Sequence, residues 1–144
     1  MSRADHEKPR VVIVDDEAIV RESLRLSLEH AGFVATTVED ARLAVEHIRA
    51  QKPALVVLDL YMPGMDGREI ARTLKADPET RGVRIIVLTG SSEAVDVVTG
   101  LDAGAVDYVG KPIGGEALIA RIRSALHMPE SAPKPARRAR AKKK

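Results

Sequence analysis

Apolar residues arrive in short continuous runs, separated by stretches in which they recur every three or four positions. The runs Val11-Val12-Ile13-Val14 and Ala54-Leu55-Val56-Val57-Leu58 have strand length and no alternation, so strands buried on both faces are predicted. Val83 to Leu88 is a third such strand, and Val106 to Val109 a shorter one. Phe33 to Val38 carries the polar pair Thr36-Thr37 and reads as an edge strand.

Between these runs the period changes. Val20, Leu24, Leu28 and Ala31 lie on one helical face, and Gly32 is the expected stop. Asp40 can cap a helix with Ala41, Ala44, Val45 and Ile48 inward, ended by Lys52-Pro53. Asp66 followed by Glu69 resembles a capping box, with Ile70, Ala71 and Leu74 inward and a break at Asp77-Pro78. Ser91 or Ser92 can cap a helix of poor propensity through Val95 to Gly100. Gly114-Gly115 opens the last helix, with Leu118, Ile119, Ile122, Ala125 and Leu126 inward.

Five strands thus alternate with five helices. Right-handed βαβ crossovers then give a parallel sheet covered on both faces, an α/β doubly wound fold. Ligands of such sheets sit beyond the carboxyl ends of the strands. Polar residues stand at four of those ends: Asp15-Asp16, Asp59, Thr89 and Lys111. Each has a bland explanation alone; converging on one crevice, they point to a site.

Composition changes this picture at its edges. The 144 residues are 44% apolar and 31% charged, with no cysteine, which excludes disulfides and thiolate metal sites. No apolar run approaches the roughly 20 residues of a membrane span, and Met1 to Arg10 lacks the apolar core of a signal peptide, so a cytoplasmic protein is expected. The net charge of +2 conceals a division. Residues 129–144 hold seven Lys/Arg against Glu130, a net of +6, which leaves −4 for the rest. The expected organisation is an N-terminal arm over 1–8, one folded domain over 9–128 and a basic disordered tail over 129–144.

Three carboxylates in one crevice either retain a proton or bind a cation. An oxygen-only set favours a hard ion such as Mg²⁺. A carboxylate can also attack phosphorus, provided a cation and Lys111 offset the repulsion between anions and Thr89 donates to a phosphoryl oxygen. His6, His30, His47 and His127 fall away from the crevice and are expected on the solvated surface, while Met62, Met65 and Met128 read as packing residues.

Several stretches together resemble the receiver domain of two-component response regulators, the family of the chemotaxis regulator CheY. They are Asp15-Asp16, Asp59-Leu60-Tyr61-Met62-Pro63-Gly64-Met65-Asp66-Gly67, Thr89, and Ala103-Gly104-Ala105-Val106-Asp107-Tyr108 through Lys111-Pro112. The resemblance covers roughly residues 9–127. It implies a flavodoxin-like (βα)5 fold with strand order 2-1-3-4-5. It implies that Asp59 is the phosphoacceptor for a histidine kinase or histidine phosphotransfer protein. Asp16, Asp59 and the Tyr61 backbone carbonyl would ligate Mg²⁺, with Asp15 acting mainly through water. Thr89 and Tyr108 would be the switch pair, Lys111 would bind phosphoryl oxygen, and Lys111-Pro112 would be a cis peptide. The switching surface would comprise the fourth helix, fifth strand and fifth helix. Valine at 106 and glycine at 90 are less typical of the family.

Two other classes compete. A phosphatase of the haloacid dehalogenase type needs Asp-x-Asp after the first strand, where this chain has Asp15-Asp16-Glu17, and a cap domain. A docking module that has lost phosphorylation would lack an acidic residue, the Thr or the Lys, and all are present. Nucleotide binding is disfavoured, since no Gly-x-Gly-x-x-Gly or Walker loop follows a strand. Sixteen residues after Met128 are too few for an output module, so a single-domain regulator is expected, with no enzymatic turnover beyond its own phosphorylation and dephosphorylation and with an unknown target protein. The basic tail is either a solubiliser or a non-specific tether to nucleic acid, an anionic membrane or an acidic protein.

Overall fold

The computed structural model describes residues 8–90 and 104–127. Five strands form one parallel sheet: β1 (Arg10–Val14), β2 (Val34–Val38), β3 (Leu55–Asp59), β4 (Arg84–Thr89) and β5 (Asp107–Gly110), in the order β2-β1-β3-β4-β5. The expected topology is therefore the observed one. The register places Val11 to Val14 beside Leu55 to Leu58, and those beside Arg84 to Val87.

Alternation within the strands divides the core. Val12, Val14, Val56, Leu58, Ile85 and Val87 face helices α2 (Ala44–Gln51) and α3 (Gly67–Ala76). Val11, Ile13, Leu55, Val57, Ile86 and Leu88 face α1 (Ala18–His30) and α4 (Gly115–Leu126). All five residues of β3 are buried, as a central strand requires. Among the described residues β2 pairs only with β1, and its Thr36 and Thr37 are half-buried, in keeping with its edge position.

The helix ends follow local chemistry. Leu24 and Leu28 bury the inner face of α1, which stops where Gly32 adopts a φ of 99° and Phe33 N–H returns to the Leu28 carbonyl. The Asp66 carboxylate caps α3 by accepting from Arg68 N–H at 2.8 Å. At the far end of α3, Thr80 Oγ1 donates to the Leu74 carbonyl at 2.6 Å.

Three details depart from the sequence reading. Asp40 caps a 3-10 turn, Ala41–Leu43, and α2 begins only at Ala44. The Pro63-Gly64 turn lies inside a small antiparallel hairpin, Tyr61–Met62 with Met65–Asp66; Gly64 supplies the positive φ of 90°. His47 is not simply solvated, since its Nε2 lies 3.0 Å from Thr36 Oγ1 and ties α2 to the edge strand. His30 and His127 are exposed. The helix expected after Ser91 or Ser92, the arm before Lys8 and the tail after His127 lie outside the described residues, as do His6 and Met128. Among the described residues no helix is long and apolar enough to cross a membrane.

Candidate functional site

The carboxyl ends of β1, β3, β4 and β5 meet at one crevice. Asp15 follows β1 and is fully buried, Asp59 ends β3 at 3% exposure, and Thr89 ends β4 at 1%. Asp16 is exposed at the rim. Lys111 follows β5, its backbone N–H continuing the ladder to the Thr89 carbonyl at 2.8 Å. The parallel sheet thus brings together residues spread over about a hundred positions, because each strand ends at the same level.

One cation serves several anions. Lys111 Nζ lies 3.2 Å from Asp59 Oδ2, 3.0 Å from Asp15 Oδ2 and 2.7 Å from Glu17 Oε1. Burial opposes the lysine charge, but the direct contacts with Glu17 and Asp15 and the fields of Asp59 and Asp15 outweigh it, so the ammonium form is strengthened. Burial pushes Asp59 above the usual carboxylate range, and nearby Asp15 adds to this; the Tyr61 N–H at 3.1 Å and Lys111 only partly compensate. Asp59 is therefore a carboxylate whose charge is held in an unfavourable place.

Asp15 carries the clearest mark of an unfinished site. Its Oδ1 accepts from Glu17 N–H at 2.9 Å, and its backbone carbonyl accepts from Arg21 at 2.9 Å. Its Oδ2 faces the Lys111 ammonium without hydrogen-bond alignment and is buried with no hydrogen bond. The ion pair with Lys111 offsets its charge but leaves the oxygen open to a further partner. Oxygens of Asp15, Asp16 and Asp59 all lie within 4.8 Å of one another, an all-oxygen set compatible with a hard divalent ion such as Mg²⁺.

The remaining candidates sit around this centre. Tyr108 lies beside Val87 in the β4–β5 register and packs, half-buried, against the α2–α3 side of the core. Thr89, two residues beyond Val87, points to that same face. The Lys111-Pro112 peptide is cis. Gly90 is exposed, with open space where a side chain would stand. Tyr61 is 48% exposed and stacks beneath Arg68, whose guanidinium carbon is 5.5 Å from the ring centre. A groove of about 830 Å³ opens from Asp59 between Ile19, Val20, Pro112 and Ile113.

Two participants escaped the sequence reading. Glu17 supplies the shortest contact to Lys111, and Arg21 pins the Asp15 loop while pairing with Glu39 at 3.1 Å. Their signal was weak: Glu17 extends an acidic run, and Arg21 is one of several charges on α1.

The chain belongs to the response regulator receiver domain family, whose model matches residues 11–123. It is thus the receiver domain of a two-component response regulator. The DNA-binding response regulator MtrA of Mycobacterium tuberculosis is 40% identical over 129 residues, 90% of this chain and 55% of that protein. The chain spans about half the length of the curated relatives it matches. Among solved structures, the signal receiver domain of a signal transduction histidine kinase from Syntrophus aciditrophicus has a TM-score of 0.75 at 34% identity, covering 83% of this chain and 90% of that one. A CheY-like response regulator receiver domain protein from Methanospirillum hungatei has a TM-score of 0.78 at 26% identity, covering 84% and 95%.

Proposed function

We propose that this domain is a phosphorylation-activated signalling switch whose phosphoacceptor is Asp59. The observation that carries the reading is the convergence of Lys111 on Asp59 and Asp15, beside a buried carboxylate oxygen that lacks a hydrogen bond. The donor is a histidine kinase or a histidine phosphotransfer protein. An Asp59 carboxylate oxygen bonds to phosphorus as the P–N bond of the phosphohistidine breaks, and the electron pair leaves on the imidazole nitrogen. Asp59 needs no general base when it is ionised. Lys111 would hold a phosphoryl oxygen, and the Thr89 hydroxyl would donate to another. Asp16, Asp59 and the Tyr61 carbonyl would hold Mg²⁺, with Asp15 reaching it through water. The ion would neutralise charge between the carboxylates and the incoming phosphoryl oxygens.

The switch is the Thr89–Tyr108 pair, and the output face includes β5 and α4. A phosphoryl group shifts the population of that face only by its differential affinity for two arrangements. Beyond its own phosphorylation and dephosphorylation the domain is not an enzyme, and it works in the cytoplasm. The basic run over 129–144 is suited to a non-specific polyanion.

The test is transfer from a phosphorylated histidine kinase. Label should move to this chain in the presence of Mg²⁺ and stop in excess EDTA. Undiminished transfer in EDTA would contradict the proposed role of the ion. With Mg²⁺ and beryllofluoride, amide shifts should concentrate in residues 89–115; shifts confined to the loop after Asp59 would contradict the switch.

A further inference from the structure

Glu17 occupies the N-cap of α1, yet its side chain makes no capping hydrogen bond. Helices favour Ser, Thr, Asp or Asn there, because a short side chain can reach the free N–H groups of the first turn. Glutamate is a poor choice for that task. Here its carboxylate turns the other way and accepts from Lys111 Nζ at 2.7 Å, closer than Asp59 Oδ2 at 3.2 Å. The Lys111 side chain is 16% exposed and the Glu17 side chain 58%, so the pair lies at the mouth of the crevice with Glu17 on the outer side. A residue that breaks a local rule in order to reach a site is a candidate for function.

We infer that Glu17 is a positioning residue that competes with the phosphoryl group for Lys111. This rests on the reading of Asp59 as phosphoacceptor. In the unphosphorylated domain Glu17 makes the shortest contact with the ammonium and draws it toward the rim. A phosphoryl group on Asp59 must recruit that ammonium, so the Glu17 contact has to weaken when the group arrives. The contact therefore favours the resting state. Partly exposed ion pairs of this kind are worth a factor of about 1.4 to 5 in an equilibrium constant. The device is a modest bias.

The experiment titrates beryllofluoride with Mg²⁺, a phosphoryl mimic on a carboxylate, against the whole chain by NMR. Glu17→Gln keeps the length of the side chain and removes its charge. It should bind beryllofluoride about two- to fivefold more tightly than the wild type and be labelled faster by acetyl phosphate. Glu17→Asp retracts the carboxylate from Lys111 and restores a capping residue, so it should also tighten binding while raising Tm. A purely structural N-cap role moves Tm but leaves beryllofluoride affinity unchanged, and that result overturns the inference. Glu39→Gln removes a different rim charge, one paired with Arg21. An equal gain there means general repulsion and also overturns it. Asp59→Asn separates the two levels: if it binds beryllofluoride like the wild type, the reading of the site has failed. If it does not bind and Glu17→Gln matches the wild type, only the role of Glu17 has.

Discussion

Two sets of aspartates in this domain begin with the same local geometry and end in different surroundings. Asp40, Asp66 and Asp77 each accept the backbone N–H two residues on, from Arg42, Arg68 and Glu79. Asp15 and Asp59 do the same with Glu17 and Tyr61. The difference lies in what else each carboxylate meets. Asp40, Asp66 and Asp77 are met by the guanidinium groups of Arg42, Arg68 and Arg49 at 2.7–2.9 Å, and all three are held below the usual carboxylate range. Asp15 and Asp59 share one lysine inside the protein, and Asp59 is pushed up. The first set closes turns. The second leaves two buried carboxylates with one cation between them, an arrangement suited to a ligand that brings further positive charge.

The largest test of this contrast removes the shared cation. Lys111→Met leaves two buried carboxylates facing each other, so stability without metal should fall by about 2 kcal/mol or more. Thermal unfolding should show part of that loss recovered in millimolar Mg²⁺, through ligand linkage. No recovery would detach the acidic cluster from metal binding.

Gly67 joins the two sets, following the capping Asp66 and pressing on the backbone of Asp59. A Cβ there would strike the Asp59 carbonyl oxygen and approach the Leu60 Cα to 2.8 Å. Gly67→Ala should therefore cost about 1–3 kcal/mol and slow phosphorylation as well. Loss of stability with an unaltered labelling rate would show that the hairpin does not position Asp59.

Asp66→Ala removes a cap and the ion pair with Arg68. The expected cost is about 1 kcal/mol at neutral pH, with labelling retained. Because the Asp66 carboxyl is held low, its contribution is present above the unfolded pKa of about 3.9 and is lost as pH falls through the folded value. The gap between variant and wild type should close in acid.

The smallest effect has the opposite sign. Asp59 is raised, so its charge costs stability once pH rises past the unfolded value of about 3.9 and through the raised folded one, and costs nothing below. Asp59→Asn should be more stable than the wild type at pH 7 without metal, with the difference vanishing as pH falls to the unfolded value. A destabilised Asp59→Asn at pH 7 would place Asp59 among the satisfied aspartates.

The sheet was legible because buried parallel strands are written as unbroken apolar runs, and the crevice because each run halts at a polar residue. The inner faces of α1 to α4 followed from their period. The hairpin at Tyr61 was not legible, since two-residue strands have no period to detect. The 3-10 entry to α2 was missed because Asp40 signals a cap and not the pitch that follows. The division between the two sets of aspartates was written locally for Asp40 and Asp66, each with an arginine two positions on. Nothing local reveals that Glu17 would meet Lys111 across 94 positions, because that contact exists only once the sheet has formed.

The most direct measurement is the site of phosphorylation. After incubation with acetyl phosphate and Mg²⁺, intact mass should rise by a single phosphoryl group. The modification should be labile to base and map to Asp59, and Asp59→Asn should remain unmodified under the same conditions. Labelling of Asp59→Asn at the wild-type rate, or a modification mapping to Asp15 or Asp16 with Asp59 untouched, would contradict the account.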